Sequence, residues 1–184
     1  MPESMIVNRT RRQVLLGTGI AILGSVASPA IASIGRINVR KLSFDNLHTG
    51  ERLKADYWVD GEYVPDALQD INRLLRDFRT GDVHPIEPKL LDVLSMLRGM
   101  METEADIQVI SGYRSPKTNA TLHEQSGGVA ATSLHMRGMA IDVRVSGRPL
   151  TGLRDAALHL AVGGVGYYPQ SNFVHIDVGR VRRW

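Results

Sequence analysis

The chain of 184 residues contains no cysteine. Disulfides, thiolate metal ligands and a cysteine nucleophile are therefore excluded. So is the lipid anchor of a bacterial lipoprotein, which needs a cysteine at its cleavage point. Any metal site must be built from His, Asp, Glu and water. Aromatic residues make up only 5%. No dense Lys/Arg block and no repeating set of stacking aromatics is present, so a pI of about 9.4 gives no argument for nucleic acid. Formal net charge is +3, and most of it sits near the start, where Arg9, Arg11 and Arg12 face only Glu3. Internal repeats, low-complexity linkers and a second-domain boundary are also lacking. With 43% hydrophobic residues, the chain has the material for one globular domain with its own core.

What is present begins with an export signal. Thr10-Arg11-Arg12-Gln13-Val14-Leu15-Leu16 opens a moderately apolar run, and Ala30-Ile31-Ala32 is a small-x-small exit. That order describes a secretory signal peptide, and the Arg-Arg pair resembles the twin-arginine export signal. The competing reading is a membrane anchor. Gly17, Gly19, Gly24 and Pro29 weaken it against the ~20 apolar residues that a bilayer span needs. Cleavage would leave Ser33 first, so the expected organisation is a signal peptide over 1–32 and one domain over 33–184, placed in the periplasm.

From Ile37 the pattern takes period two. Leu42, Phe44 and Asn46 fall on one face, and Val39, Lys41 and Ser43 on the other. A turn at His48 to Glu51 leads to a return strand, Arg52 to Val59, giving a β-hairpin, and Asp60-Gly61 is a second turn signal. Helical spacing follows at Pro65 to Phe78 and at Glu87 to Met101, where Pro88 suits a first turn. Met96, Met100 and Met101 read as gap-filling core. Asp106 to Gly112 alternates like a central strand. Pro116 to Gln125 reads as a helix stopped by Ser126-Gly127-Gly128, Met139 to Val145 as a strand, and Leu150 to Val162 as a helix with Thr151 as N-cap. Gly163-Gly164-Val165-Gly166 leads into two short strands, Val165 to Tyr168 and Phe173 to Val178. Strands and helices interleave without βαβ regularity, so the expected class is α+β, with a mostly antiparallel sheet flanked by helices.

Two segments carry chemistry: Ser133-Leu134-His135-Met136-Arg137-Gly138-Met139-Ala140-Ile141-Asp142 and Asn172-Phe173-Val174-His175-Ile176-Asp177. His135 and Asp142 can meet at one ion if the chain folds back at Arg137-Gly138, where glycine permits a positive φ. His175 would arrive from a neighbouring strand. Two neutral imidazoles and one carboxylate leave a dication with net positive charge and an open position, a donor set that suits catalytic zinc. Spacing alone is far less specific than a helical His-Glu-x-x-His. Surface or core-satisfied polar residues remain the competing reading at this level.

The motifs are more telling in combination. Ser111-Gly112-Tyr113-Arg114-Ser115, then Ser133-x-His135-x-x-Gly138-x-Ala140-x-Asp142, then Val174-His175-Ile176-Asp177 resemble the zinc D-Ala-D-Ala metallopeptidases. These share the fold of the hedgehog signalling domain. The resemblance is to their exported murein endopeptidase branch, the YcbK-like proteins, and it runs from Ile37 to Trp184. It implies Zn2+ on His135, Asp142 and His175, and substrate contact with carbonyl polarisation by Arg114. It implies peptidoglycan stem peptides and cross-links as substrate, and thus an exported zinc endopeptidase. The alternatives are a D,D- or L,D-carboxypeptidase and a non-catalytic zinc-containing peptidoglycan-binding module.

One departure concerns the proton. Many such relatives carry a catalytic His two residues before the last ligand, or an acid three before it. Phe173 and Asn172 stand there, and neither can act as a base. Asp177 shares a strand face with His175 by period two and is the remaining candidate base. Its other readings are a supporting carboxylate that accepts a hydrogen bond from a ligating imidazole, or a turn contact. Tyr167 and Tyr168 line a groove or join the sheet core. His48 and His84 read as solvated turn residues, His159 as a packing residue, and His123 as one that can border the cleft.

Overall fold

Leu42, Phe44, Ala55 and Tyr57 alternate with more exposed neighbours along two strands, β1 (Val39–Asn46) and β2 (Arg52–Val59), and are buried. These strands form the expected antiparallel hairpin, with a register shift between Arg40 and Lys41. In the computed structural model, residues 38–125 and 129–184 are described. The expected signal peptide and the expected Ser126-Gly127-Gly128 helix stop fall outside them. Among the described residues, β3 (Glu62–Tyr63), β4 (Ile107–Ser111), β5 (Ala140–Val145), β6 (Gly164–Tyr168), β7 (Phe173–Asp177) and β8 (Arg182–Arg183) complete one eight-stranded sheet. Its order is β3-β2-β1-β4-β5-β7-β6-β8. The pairings are antiparallel except for β1 with β4 and β6 with β8. The class is α+β, as the interleaving implied. No helix among the described residues is long and apolar enough to cross a membrane.

The helices are α1 (Pro65–Leu74), α2 (Pro88–Met100), α3 (Pro116–Gln125) and α4 (Leu150–Leu160). Ile71 and Leu74 of α1, Leu90, Leu91, Leu94 and Leu97 of α2, and Leu153 and Ala157 of α4 join one apolar core with the sheet. Each such fully buried side chain contributes ~1.5–3 kcal/mol of transfer free energy. Directly paired residues share a sheet face. Ile141 opposite Ile176 and Val143 opposite Val174 therefore point into this core, while Asp142 opposite His175 points the other way.

Four local expectations change. α1 stops at Leu74 rather than Phe78, because Asn46 Nδ2 donates to the Leu74 carbonyl at 2.9 Å and the Tyr113 N–H to that of Leu75 at 2.7 Å. The N-cap of α4 is Pro149, so Thr151 lies inside the helix. Met96 and Met100 are 44% and 43% exposed and fill no core gap; Met101 alone of the three packs against the core. His159 is exposed rather than packed. His48 and His84 are held by stacking, on Phe78 and Tyr113.

Candidate metal centre

The chain from Ser133 to Asp142 folds back as the glycine spacing suggested. Leu134–Arg137 form a single 3-10 turn, with Ser133 accepting the His135 N–H at 3.3 Å. Gly138 ends it at φ 65°. A side chain there would run into the Pro85 carbonyl oxygen, so this glycine is required both for its backbone angle and for its lack of a Cβ. The return places His135 beside Asp142 on β5, and β7 brings His175 directly opposite Asp142.

The three expected ligands converge. One atom from each of His135, Asp142 and His175 lies within 4.8 Å of the others; His135 and Asp142 are buried and the His175 side chain is 12% exposed. His175 Nδ1 is 2.8 Å from Asp142 Oδ1, and His135 Nε2 is 3.3 Å from the same oxygen. The two ring nitrogens face each other at 3.2 Å. Each imidazole is anchored through its other nitrogen: His135 Nδ1–H donates to the Gly112 carbonyl at 2.7 Å, and His175 Nε2–H to Asp177 Oδ2 at 3.1 Å. With those protons pointing outward, the inward atoms are lone pairs on nitrogen, nitrogen and oxygen. Converging lone pairs repel unless a cation lies among them, so the donor set fits a bound metal ion. Its N/O composition suits zinc.

The local fields act in the same sense. Burial pushes the Asp142 carboxyl up, but His135 and His175 outweigh it and hold it well below the usual carboxylate range. Burial lowers His175, and the flanking Asp142 and Asp177 raise it to about 8. A dication would take the place of the proton that these carboxylates favour.

Asp177 is deeply buried and fully committed. Its Oδ1 accepts the N–H groups of Gly164 and Gly179 at 3.0 and 2.9 Å and Arg182 at 3.1 Å. Oδ2 accepts His175 and, at 2.7 Å, Arg182. Burial raises this carboxyl, and the bonds from His175, Arg182, Gly179 and Gly164 bring it far below its ordinary range. Five donors leave no lone pair directed at a substrate. Of the readings of Asp177, the geometry favours the supporting carboxylate over the base.

Arg114 lies at the mouth of the same centre and is only 8% exposed. Its contacts are long: 3.6 Å to Asp142 and 3.4 Å to Asn119. Its Nε has no hydrogen-bond partner among the described residues. Burial lowers its pKa, opposed by Asp142. Its loop is set by a buried carboxylate that the sequence reading passed over. Asp77 accepts the Ser115 N–H and hydroxyl at 2.9 and 2.7 Å and the Arg79 N–H at 3.0 Å. Burial raises Asp77, but the bonds from Thr118 and Ser115 prevail and bring it down to about 2. Ser115 in turn caps α3 by accepting the Thr118 N–H.

These side chains open on a cleft of about 490 Å³. One wall is aromatic: Tyr168, Phe173 and Trp184 line it, and Tyr167, on the opposite sheet face, packs against the core instead. The other wall, from Val129 to Leu134, is tied back by Asn119 to the carbonyls of Ala130 and Ala131. His123, on the exposed side, bonds the Val129 carbonyl and supports this rim without lining the cleft. Arg182 and Trp184 were not singled out in the sequence. Their signal was the Gly163-Gly164-Val165-Gly166 run: side chains at Gly164 and Gly166 would collide with Arg182 and Trp184, respectively.

Comparison with known proteins agrees with this geometry. The sequence profile of the Peptidase_M15_2 family, described as peptidoglycan L,D-endopeptidase MepK, matches residues 35–184. The peptidoglycan L,D-endopeptidase MepK of Escherichia coli K12 is 42% identical over 175 residues, covering 95% of this chain and 96% of that protein. A probable peptidoglycan L,D-endopeptidase MepK of Haemophilus influenzae is 39% identical over 180 residues, covering 97% of each.

Proposed function

The chain belongs to the family of the peptidoglycan L,D-endopeptidase MepK, and from that premise we propose that it is an exported zinc peptidase whose cleft around His135, Asp142 and His175 hydrolyses peptide cross-links of peptidoglycan. Membership makes it a peptidase of the murein endopeptidase kind, so the binding-module alternative falls away. Peptidoglycan lies outside the cytoplasm. The Arg11-Arg12 segment is the export signal of this reading, by the twin-arginine route to the periplasm. The observation that carries the metal assignment is the convergence of three lone pairs whose imidazole N–H groups are tied down outside the centre.

His135 Nε2, Asp142 Oδ1 and His175 Nδ1 would hold the zinc. When bound, zinc supplies Lewis-acid activation of a water and of a carbonyl. The chain's own side chains do the rest. Arg114 brings a buried cation, held only by long contacts to Asp142 and Asn119, to the carbonyl oxygen, where negative charge grows as the amide is attacked. A donor held ready in a site of low dielectric stabilises that charge more than water does. Asp177 is a positioning residue. It holds the Nε2–H of His175, so that Nδ1 keeps its lone pair inward, and Arg182 neutralises it.

Purified protein incubated with cross-linked muropeptides is expected to turn dimers into monomers, read by mass. Shortened monomers with intact dimers would instead identify the carboxypeptidase alternative. Unchanged substrates would overturn the peptidase assignment.

A further inference from the structure

Tyr168 lines the cleft with a protic side chain whose own donor is unspent among the described residues. Its oxygen accepts the indole N–H of Trp184 at 2.6 Å, and its own O–H donates to no described residue. A phenol has one proton to give. Because the oxygen receives Trp184, that proton points away from the indole, on a side chain that lines the cleft.

Its aim is fixed from three sides. The pairing of β6 with β7 sets Tyr168 opposite Phe173 and Gly166 opposite His175. Tyr168 is therefore two residues along the same sheet face from the row that holds His175 and Asp142, a rise of about 7 Å. The Phe173 ring stacks on the Tyr168 ring at 4.7 Å. Phe173 has no proton to offer, but it is the platform that holds one in place. Trp184 fixes the hydroxyl end and lies 5.2 Å from the His175 ring. It occupies that position because residue 166 is glycine; a Cβ there would lie 2.7 Å from the indole.

We propose that Tyr168 is a catalytic hydrogen-bond donor of this cleft: with Arg114, its O–H binds the scissile carbonyl oxygen as that oxygen takes up negative charge. The proton stays on the phenol throughout. This rests on the peptidase reading above. It gives the cleft two donors for one developing charge, from opposite segments of the chain. It also gives a purpose to the triad of Gly166, Phe173 and Trp184, which otherwise only surrounds a tyrosine. An oxyanion donor of this kind is needed in the transition state and little in the ground state.

Tyr168→Phe keeps the ring and its stack and removes only the donor. The expected result is a ~100-fold fall in kcat on a cross-linked muropeptide, with KM within about threefold, since only a transition-state contact is lost. A phosphinate peptide that mimics the tetrahedral intermediate should bind the variant ~100-fold more weakly by calorimetry, with zinc content and melting temperature unchanged. Trp184→Phe leaves the hydroxyl and removes its guide, so it should lose less on both readouts. Wild-type kcat and phosphinate affinity in Tyr168→Phe would overturn the proposal. So would a raised KM at unchanged kcat, which would make Tyr168 a wall for the ground state. Wild-type protein that cleaves no cross-link would overturn the peptidase reading itself, and this inference with it.

Discussion

At the β1–β2 end of the sheet, Leu42, Phe44 and Tyr57 lie fully buried against α1 and α2. At the β5–β7 end, His135, Asp142 and Asp177 are nearly as deep, and they carry or share charge. The first arrangement lowers the free energy of folding through apolar burial. The second opposes folding, because a buried ion costs several kcal/mol unless it is paired and hydrogen-bonded. Asp177 meets that condition with Arg182, His175 and two backbone N–H groups. In the proposed centre, His135, Asp142 and His175 would meet it around a cation. On that reading one end holds the fold and the other would hold the ion, and each should break without the other.

His135→Ala should have the largest effect on activity. It removes a ligand, so the loss should exceed the ~10–100-fold typical of changes to residues that only support a ligand. Metal analysis should find little zinc, while thermal melting shows the fold retained. Leu94→Ala should do the reverse. Leu94 is 2% exposed in the core, so truncation should lower stability by ~2–5 kcal/mol, measured by denaturant titration. Turnover per folded molecule should stay unchanged. A Leu94→Ala protein that is stable but inactive would erase the separation of the two ends.

Asp177→Asn sits between these poles. The amide keeps its shape but no longer offers His175 Nε2–H a charged acceptor. Zinc affinity or activity should fall ~10–100-fold, read by competition with a chromogenic chelator. Unaltered zinc affinity combined with lost turnover would return Asp177 to the role of base. The smallest effect is expected at Asp77. Its carboxylate has a lowered pKa when folded, so its contribution is present above the unfolded value of about 4. That contribution is lost as pH falls through about 2. Asp77→Asn should cost ~1–3 kcal/mol at neutral pH, and the gap from wild type should close as pH falls through that window. A pH-independent gap would contradict this.

The convergence of His135 and Asp142 could be read from the chain because they lie in one short segment around a glycine whose backbone angle serves one purpose. Gly138 at φ 65° is the turn that the His135 to Asp142 spacing requires. Period two likewise placed Asp177 on the face of His175. Nothing local revealed that Arg182 and two backbone N–H groups already occupy that carboxylate. The aromatic wall was hidden for the same reason. Trp184 reaches His175 only because Gly166, far from it in the chain, has no side chain. The end of α1 was misjudged because Asn46 and Tyr113, from distant strands and loops, take its last carbonyls. Helical spacing counted Met96 and Met100 as apolar but could not show that their side of α2 faces outward. Spacing records which residues share a face; it does not record what arrives from elsewhere to cover it.

The most direct measurement is cross-link cleavage by protein stripped of metal with a chelator and dialysed. Dimeric muropeptides should remain intact, and one equivalent of zinc should restore their conversion to monomers in wild type but not in His135→Ala. Cleavage by the stripped protein at the untreated rate would contradict a zinc centre built from His135, Asp142 and His175.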